Sequence, residues 1–273
     1  MSRKYHFTRD TMKRLRDFAA GREEPAAPAA QDASAPLTVC GLTHVGKVRL
    51  SNQDVLVESG ELRLYGVADG MGGHNGGETA SAGARDGVIQ ALKDRKPSLE
   101  ALRSAVEEAN LALFRQQEED KSLAGMGTTL SLIWLSDQFV YMGHVGDSRI
   151  YLLRDGEMQQ MTDDHSLVGE LVRAGFLTPE QAENHPNKNV ITRAVGTEEG
   201  IEVDLAVEER RAGDTWMICS DGLHGMVSDE ALEKLLKAHG PEKAAELMME
   251  AALENGGRDN ISVVVLHDGE GAR

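Results

Sequence analysis

Thr129-Leu-Ser-Leu-Ile-Trp-Leu135, Ser136-Asp-Gln138, Phe139-Val-Tyr-Met-Gly-His-Val145, Gly146-Asp-Ser-Arg149, Ile150-Tyr-Leu-Leu153 and then Asp155-Gly156 form the stretch on which the fold turns. Three apolar runs rich in β-branched and aromatic residues read as strands, and the connections between them are only three and four residues long. A parallel crossover needs about a dozen residues or more, so these strands are expected to be antiparallel neighbours. Asp155-Gly156, with its tolerance for positive φ, reads as the turn of a further hairpin.

Other elements follow outward from this meander. Leu62–Ala68, Trp216–Cys219 and Ile261–Leu266 read as buried strands; Glu78–Lys93, Leu99–Glu118, Asp229–Lys237 and Pro241–Glu254 carry helical apolar spacing. Strand runs alternating with helix pairs, joined antiparallel, predict a layered α+β domain in which helices cover the sheets. Thr162–Ile191 breaks the rhythm with polar residues, a short helix at Leu167–Ala174 and a second opened by Thr178-Pro179-Glu180, so it reads as an insertion near the site. At the other end, Thr8–Ala20 has the pattern of a short basic helix. It is followed by a stretch through Pro36 with three prolines and no large apolar residue, which reads as a linker. The expected organisation is a disordered leader and linker over 1–36, a domain over 37–268, and a tail over 269–273.

The formal charge is −16, and the seven Lys/Arg and five Asp/Glu of residues 1–36 leave 22 basic against 40 acidic residues in the body. Such a body repels a polyanion, so nucleic acid is not an expected partner. Cys40 and Cys219 form no Cys-x-x-Cys unit, which argues against a disulfide framework or zinc-thiolate site. The chain has no apolar run long enough to span a membrane and no signal-peptide core at its start, so a cytoplasmic location is expected, with monomeric behaviour.

Four aspartates lie at the ends of apolar runs: Asp69 in Ala68-Asp-Gly70, Asp147 in Val145-Gly-Asp147, Asp221 in Cys219-Ser-Asp-Gly222, and Asp259 in Asp259-Asn-Ile-Ser-Val-Val-Val265. Strand ends can gather remote carboxylates on one rim, and carboxylates so gathered repel one another unless cations sit among them. Carboxylates and glycine carbonyls are hard donors, which favour Mn²⁺ or Mg²⁺ over zinc or copper. Two cations about 4 Å apart, bridged by Asp69, would acidify a shared water and make a covalent nucleophile unnecessary. No Cys-x5-Arg loop and no early Asp-x-Asp pair offers one. An anion clamp is then needed, and Arg49 in Gly46-Lys-Val-Arg-Leu-Ser-Asn-Gln-Asp54 is the candidate, because a guanidinium fork matches two phosphate oxygens. The Gly72-Gly-His-Asn-Gly-Gly77 run lacks the ending of a P-loop and the spacing of a dinucleotide fingerprint.

Gly46-x-x-Arg49-x-x-Asn52-Gln53-Asp54, Ala68-Asp-Gly-Met-Gly-Gly-His74, Gly127-Thr-Thr129, Val145-Gly-Asp-Ser-Arg149, Cys219-Ser-Asp-Gly222 and Arg258-Asp-Asn260, taken in order, resemble the signature of bacterial type 2C protein phosphatases, the metal-dependent PPM family. The resemblance spans roughly residues 38–266. It implies a four-layer α-β-β-α fold, a central antiparallel β-sandwich flanked by helix pairs. It also implies hydrolysis of phosphoserine and phosphothreonine by direct attack of a water held between two metals. By similarity Asp69 bridges the ions, Gly70 offers its carbonyl, Asp221 and Asp259 complete the pair, and Asp147 holds a weaker third ion. Arg49 would bind the phosphate and Asp54 would orient metal-bound water from behind. Gln53 stands where many members carry Glu, which replaces a charged contact by a neutral one. His74 is a candidate general acid, although Met71 occupies the place where some relatives carry their acidic histidine. His44, His144 and His224 read as packed or hydrogen-bonded residues. Residues 162–194 correspond to the family's mobile flap. The implied substrates are proteins phosphorylated on Ser or Thr, opposing a bacterial eukaryotic-like Ser/Thr kinase. Two other readings are a catalytically weak regulatory pseudo-phosphatase, toward which only Gln53 leans, and a nuclease-like ester hydrolase, against which the acidic body argues.

Overall fold

The structure, a computed structural model, describes residues 36–72 and 76–269. The expected leader over 1–36 therefore lies outside the described residues except for Pro36, as does the tail beyond Gly269.

Two antiparallel sheets stack face to face. The first contains β1 (Leu37–His44), β7 (Arg149–Arg154), β8 (Glu157–Gln160), β10 (Thr215–Cys219) and β11 (Ile261–Asp268), in the order β1-β11-β10-β7-β8. The second contains β2 (Asp54–Ser59), β3 (Leu64–Met71), β5 (Leu130–Leu135), β6 (Phe139–Val145) and β9 (Asp204–Glu209), in the order β2-β3-β5-β6-β9, with the two-residue β4 (Gly127–Thr128) beside the end of β3. The meander forms as the loop lengths require: β5 pairs antiparallel with β6, which hands the chain to β7 in the other sheet. Asp155 and Gly156 close the β7–β8 hairpin with φ of 53° and 78°, the left-handed pair that suits a two-residue loop.

Period-two alternation assigns each strand's side chains to one of two cores. Along β11, Val264 and Leu266 face the opposing sheet with Trp216, Ile218, Ile133 and Val67, whereas Val263 and Val265 face helices. On one outer face, α1 (Gly76–Leu92) and α2 (Leu99–Glu119) bury Ala80, Ala84, Val88, Leu102, Val106 and Ala109 against Leu64, Leu132 and Trp134. On the other, α5 (Asp221–His224), α6 (Asp229–Ala238) and α7 (Pro241–Glu254) cover β1, β10 and β11 with Leu232, Leu236, Met248 and Ala252. The result is the expected four-layer arrangement. Ser98 caps α2 by accepting the Ala101 N–H, and Pro241 occupies the first turn of α7, where its missing N–H is harmless.

The insertion carries α3 (Leu167–Arg173) and α4 (Pro179–Glu183). Ser166 caps α3, and Thr178 and Gln181 form a reciprocal capping box at α4, as the Thr-Pro-Glu pattern predicts. Neither helix is long enough to stand without the body. Among the described residues, no helix is long and apolar enough to cross a membrane.

Candidate active site

Five carboxylates and one guanidinium come together where corresponding rims of the two sheets meet. Asp54 opens β2 and stands opposite Asp69 of β3 in the ladder. Asp69 is held through its backbone: its N–H donates to Thr129 Oγ1 at 2.9 Å, and its carbonyl accepts the Thr129 N–H at 2.9 Å. Asp147 follows Gly146 in the β6–β7 turn, Asp221 opens α5 straight after β10, and Asp259 lies two residues before β11. Ser220 ties the sheets together at this point. Its Oγ donates to Asp54 Oδ2 at 2.8 Å and accepts the Ser262 N–H at 3.0 Å.

Three glycines have no room for a side chain here. A Cβ on Gly222 would lie 1.9 Å from Asn260 O, one on Gly70 would lie 2.1 Å from Gly77 O, and one on Gly46 would lie 2.1 Å from Asp259 O. Gly46 also has φ of 80°, so its need for glycine is double. These close approaches are how the motif segments pack on one another.

Electrostatics shows how closely the acids are gathered. Loss of water pushes the Asp69 carboxyl well above the usual range, and Asp54, Asp221, Asp147 and Asp259 add to it. Asp221 is pushed well up for the same reason, with Asp147, Asp259 and Asp54 as neighbours and Arg49 opposing. Both residues are half-buried, yet loss of water is the largest cause of each shift. Burial raises Asp54 to about 6 against the hydrogen bonds from Ser262 and Ser220. Burial raises Asp147 to about 7, with Asp164 adding repulsion. Acids so enclosed and so mutually repelling call for positive charge.

Arg49 supplies part of that charge. Its Nη2 donates to Asp259 Oδ2 at 2.7 Å, and the hydrogen bond to Asp259, with Asp221 and Asp69 beyond, raises its pKa further. Its loop is fastened from below by Asn260, whose Nδ2 donates to Val45 O and Ser51 O, each at 2.9 Å, and whose Oδ1 accepts the Gln53 N–H at 2.8 Å. Lys47 N–H donates to Gly257 O at 2.7 Å. The loop thus presents Arg49 between Val48 and Leu50, which are 63% and 104% exposed.

Gln53 packs against the start of α1, so close that a Cβ on Gly77 would lie 2.6 Å from its Cδ. Its carbonyl accepts the Gly70 N–H at 3.1 Å and the Ser81 hydroxyl at 2.6 Å, so its backbone organises the site. His44 accepts the Gly46 N–H through Nδ1 at 2.9 Å, and His224 Nε2 lies 3.0 Å from Asp147 O. His144 sits between Ser131 Oγ and Asp163 O at 2.9 and 3.1 Å. Burial lowers His144 to about 4 and His224 to about 3, so both are neutral, bonded residues as expected. His74, the candidate acid, lies outside the described residues. Sequence reading overlooked Asn260, Ser220 and Thr129 as organisers, although each sits inside a quoted motif.

The fit to cations rests on two buried oxygens. Asp54 Oδ1 and Asp147 Oδ1 have no hydrogen-bond partner, and the neighbouring donors are all carboxylate or carbonyl oxygen, suited to hard divalent ions. The donors do not form a closed cage: among the described residues no group of three or more His, Cys, Asp or Glu side chains is arranged to hold an ion as it stands. Asp259 commits Oδ2 to Arg49 and Oδ1 to the Asn260 N–H at 2.9 Å. Chemistry and location fit, and Asp259 would exchange its arginine for the ion.

The sequence profile described as protein phosphatase 2C matches residues 40–255. The chain belongs to the protein phosphatase 2C family. Serine/threonine protein phosphatase PstP of Mycobacterium tuberculosis is 42% identical over 223 residues, which cover 81% of this chain and 43% of PstP. The chain thus spans less than half the length of that relative. Serine/threonine phosphatase stp of Listeria innocua is 38% identical over 234 residues, covering 82% of this chain and 93% of the other. The crystal structure of the catalytic domain of PstP in complex with two manganese ions superposes with a TM-score of 0.78 at 39% identity, covering 86% of this chain and 99% of that one. The family's enzymes are phosphatases, and both relatives are serine/threonine phosphatases by name.

Proposed function

We propose that this chain is a metal-dependent phosphatase that removes phosphate from phosphoserine and phosphothreonine in proteins. The observation that carries the reading is Arg49 on Asp259 at the mouth of the five-carboxylate cluster, an anion clamp directly beside the acids. Asp69, the Gly70 carbonyl, Asp221 and Asp259 would hold two divalent cations, Mn²⁺ or Mg²⁺, and Asp147 a weaker third. When bound, the ions supply positive charge that neutralises phosphoryl oxygens and acidifies water at the site. The manganese of the PstP catalytic domain supports Mn²⁺ as the first ion to test.

The chain's own residues then act as follows. Arg49, released from Asp259, grips two phosphoryl oxygens through its planar fork. Asp54, oriented by Ser220 and the Asp69 ladder pairing, stands behind Asp69 as a fixed acceptor. Val48 and Leu50 give the clamp an apolar, exposed rim, which suits a polypeptide carrying the phosphoryl group better than a small soluble ester. The domain over 37–268, with its flap over 162–194, is assigned as the catalytic unit. A cytoplasmic monomer acting against a Ser/Thr kinase of bacterial eukaryotic-like type completes the proposal, and phosphorylated proteins are its partners.

Hydrolysis of a phosphothreonine peptide with Mn²⁺, with Mg²⁺ and with chelator, in the natural chain and in Asp221→Asn, tests it. Cation-dependent turnover that collapses in the variant is expected. Metal binding with no turnover on any phosphopeptide would replace this reading by that of a regulatory pseudo-phosphatase.

A further inference from the structure

Both feet of the 162–194 insertion stand on one histidine. His165 is 3% exposed. Its backbone N–H donates to Gly146 O at 2.7 Å, and its Nδ1 accepts the Gly146 N–H at 3.0 Å. Residue 146 is therefore gripped through both its N–H and its carbonyl. Because Nδ1 accepts, the ring proton sits on Nε2, which donates to Asp204 Oδ2 at 3.1 Å, and Arg193 Nη1, 3.2 Å from the same nitrogen, lies beside it without a hydrogen bond to it. From the far foot, Thr192 N–H donates to His165 O at 2.8 Å, and Arg193 donates to Asp204 Oδ1 at 2.8 Å. The His165 ring lies on His144, with 4.8 Å between centroids. Gly146 has no freedom on its other side: φ is 110°, and a Cβ there would lie 2.6 Å from Thr129 Cβ. The next residue is Asp147, whose Oδ1 is buried and unpartnered.

We propose that His165 is a positioning residue: its Nδ1, by holding the Gly146 peptide against Thr129, sets the place from which Asp147 presents its carboxylate to the acidic cluster. The Nε2 side has a different task, fastening the two feet of the insertion through Asp204 and Arg193. One ring thus serves two separable functions. The inference rests on the reading that Asp147 receives a cation, and the test keeps the two apart.

The amide of asparagine can place an acceptor near the position of Nδ1, whereas glutamine reaches toward that of Nε2. His165→Asn and His165→Gln in the full chain should therefore differ at Gly146 while sharing the loss of the ring. Two readouts are taken without substrate: amide hydrogen exchange at Gly146, and Mn²⁺ binding followed calorimetrically. His165→Asn is expected to keep Gly146 protected and the Mn²⁺ isotherm unchanged. His165→Gln is expected to speed Gly146 exchange and to weaken the weakest Mn²⁺ step by about tenfold, the scale of lost support behind a ligand, with the tighter steps unmoved. Asp147→Asn should abolish that same weak step. Equal Gly146 exchange in the two His165 variants, or a weak step unmoved in His165→Gln, overturns the proposal. An isotherm that Asp147→Asn leaves unaltered overturns the cation reading beneath it. If His165→Gln does not fold, Asp204→Ala removes the carboxylate that Nε2 and Arg193 share while leaving the Nδ1 bond to Gly146 in place. Retained Gly146 protection and an intact weak step support the division of tasks, and loss of both overturns it.

Discussion

Gly222 shows how little tolerance single residues have at this site. An added methyl would meet Asn260 O at 1.9 Å, backbone against backbone, so neither side can yield by rotating a side chain. Gly222→Ala is expected to lower the unfolding free energy by roughly 1–3 kcal/mol in denaturant titration, the cost of overpacking, and to reduce turnover through the displaced Asp221. Arg49→Ala should behave oppositely. Its side chain is 54% exposed and its bond to Asp259 lies at the surface, so stability should change by less than about 1 kcal/mol. Losing charge-assisted hydrogen bonds to phosphate should lower kcat/KM on a phosphothreonine peptide by roughly 10- to 100-fold, which steady-state kinetics reads directly. At this scale the ligand candidates and Arg49 were legible because each sits in a dense motif. Asn260 was not recognised as the tie beneath the Arg49 loop, because its three partners lie more than 200 residues away in sequence.

Long, periodic elements were the easiest to read. The helix predicted over Pro241–Glu254 has those bounds, and Leu99–Glu118 extends by one residue to Glu119. Strands β1, β2 and β9 were overlooked, and β8 was implied only by the hairpin turn before it. Each borders a sheet or lies next to its border, and their burial patterns mix exposed or half-exposed positions, so no clean apolar run marks them. The hairpin at Asp155-Gly156 was legible because positive φ has a residue preference of its own. On β6, His144 gives a pH-dependent contribution. Burial, with Asp164 and Asp204 opposing, holds its pKa at about 4 against 6.5 when unfolded. The native chain therefore binds fewer protons than the unfolded chain between those values. The contribution is complete above pH 6.5 and is lost as pH falls toward 4, amounting to roughly 3 kcal/mol by pH 4. Denaturant unfolding from pH 7 to 4.5, compared with His144→Gln, should show a steeper decline in the natural chain; parallel curves would contradict it.

For the whole molecule, the acidic cluster makes stability depend on cations. Mn²⁺ binding to the folded chain alone should raise unfolding free energy by about 2.7 kcal/mol at a hundred times the dissociation constant, and chelator should reverse the rise. Thermal melting with and without Mn²⁺ measures this, and Asp221→Asn should blunt the shift. A chain trimmed to residues 35–269 should keep its turnover of a small phosphoester, because the ladder begins at Leu37 and Gly269 N–H already bonds to Pro36 O. A large loss would place residues among 1–34 or 270–273 within the working fold. The sequence by itself determined a layered α+β domain with helices over its sheets, the antiparallel connections and the acids at strand ends, because alternation, loop length and Asp-Gly chemistry are local properties of the chain, while the four-layer order was implied by the family resemblance. Only the tertiary structure decided that Asp259 is engaged by Arg49, that Ser220 bridges the sheets to Asp54, and that His165 grips the peptide before Asp147. Those contacts join residues remote in sequence, and their geometry comes from how two sheets and an insertion pack, which no local pattern encodes.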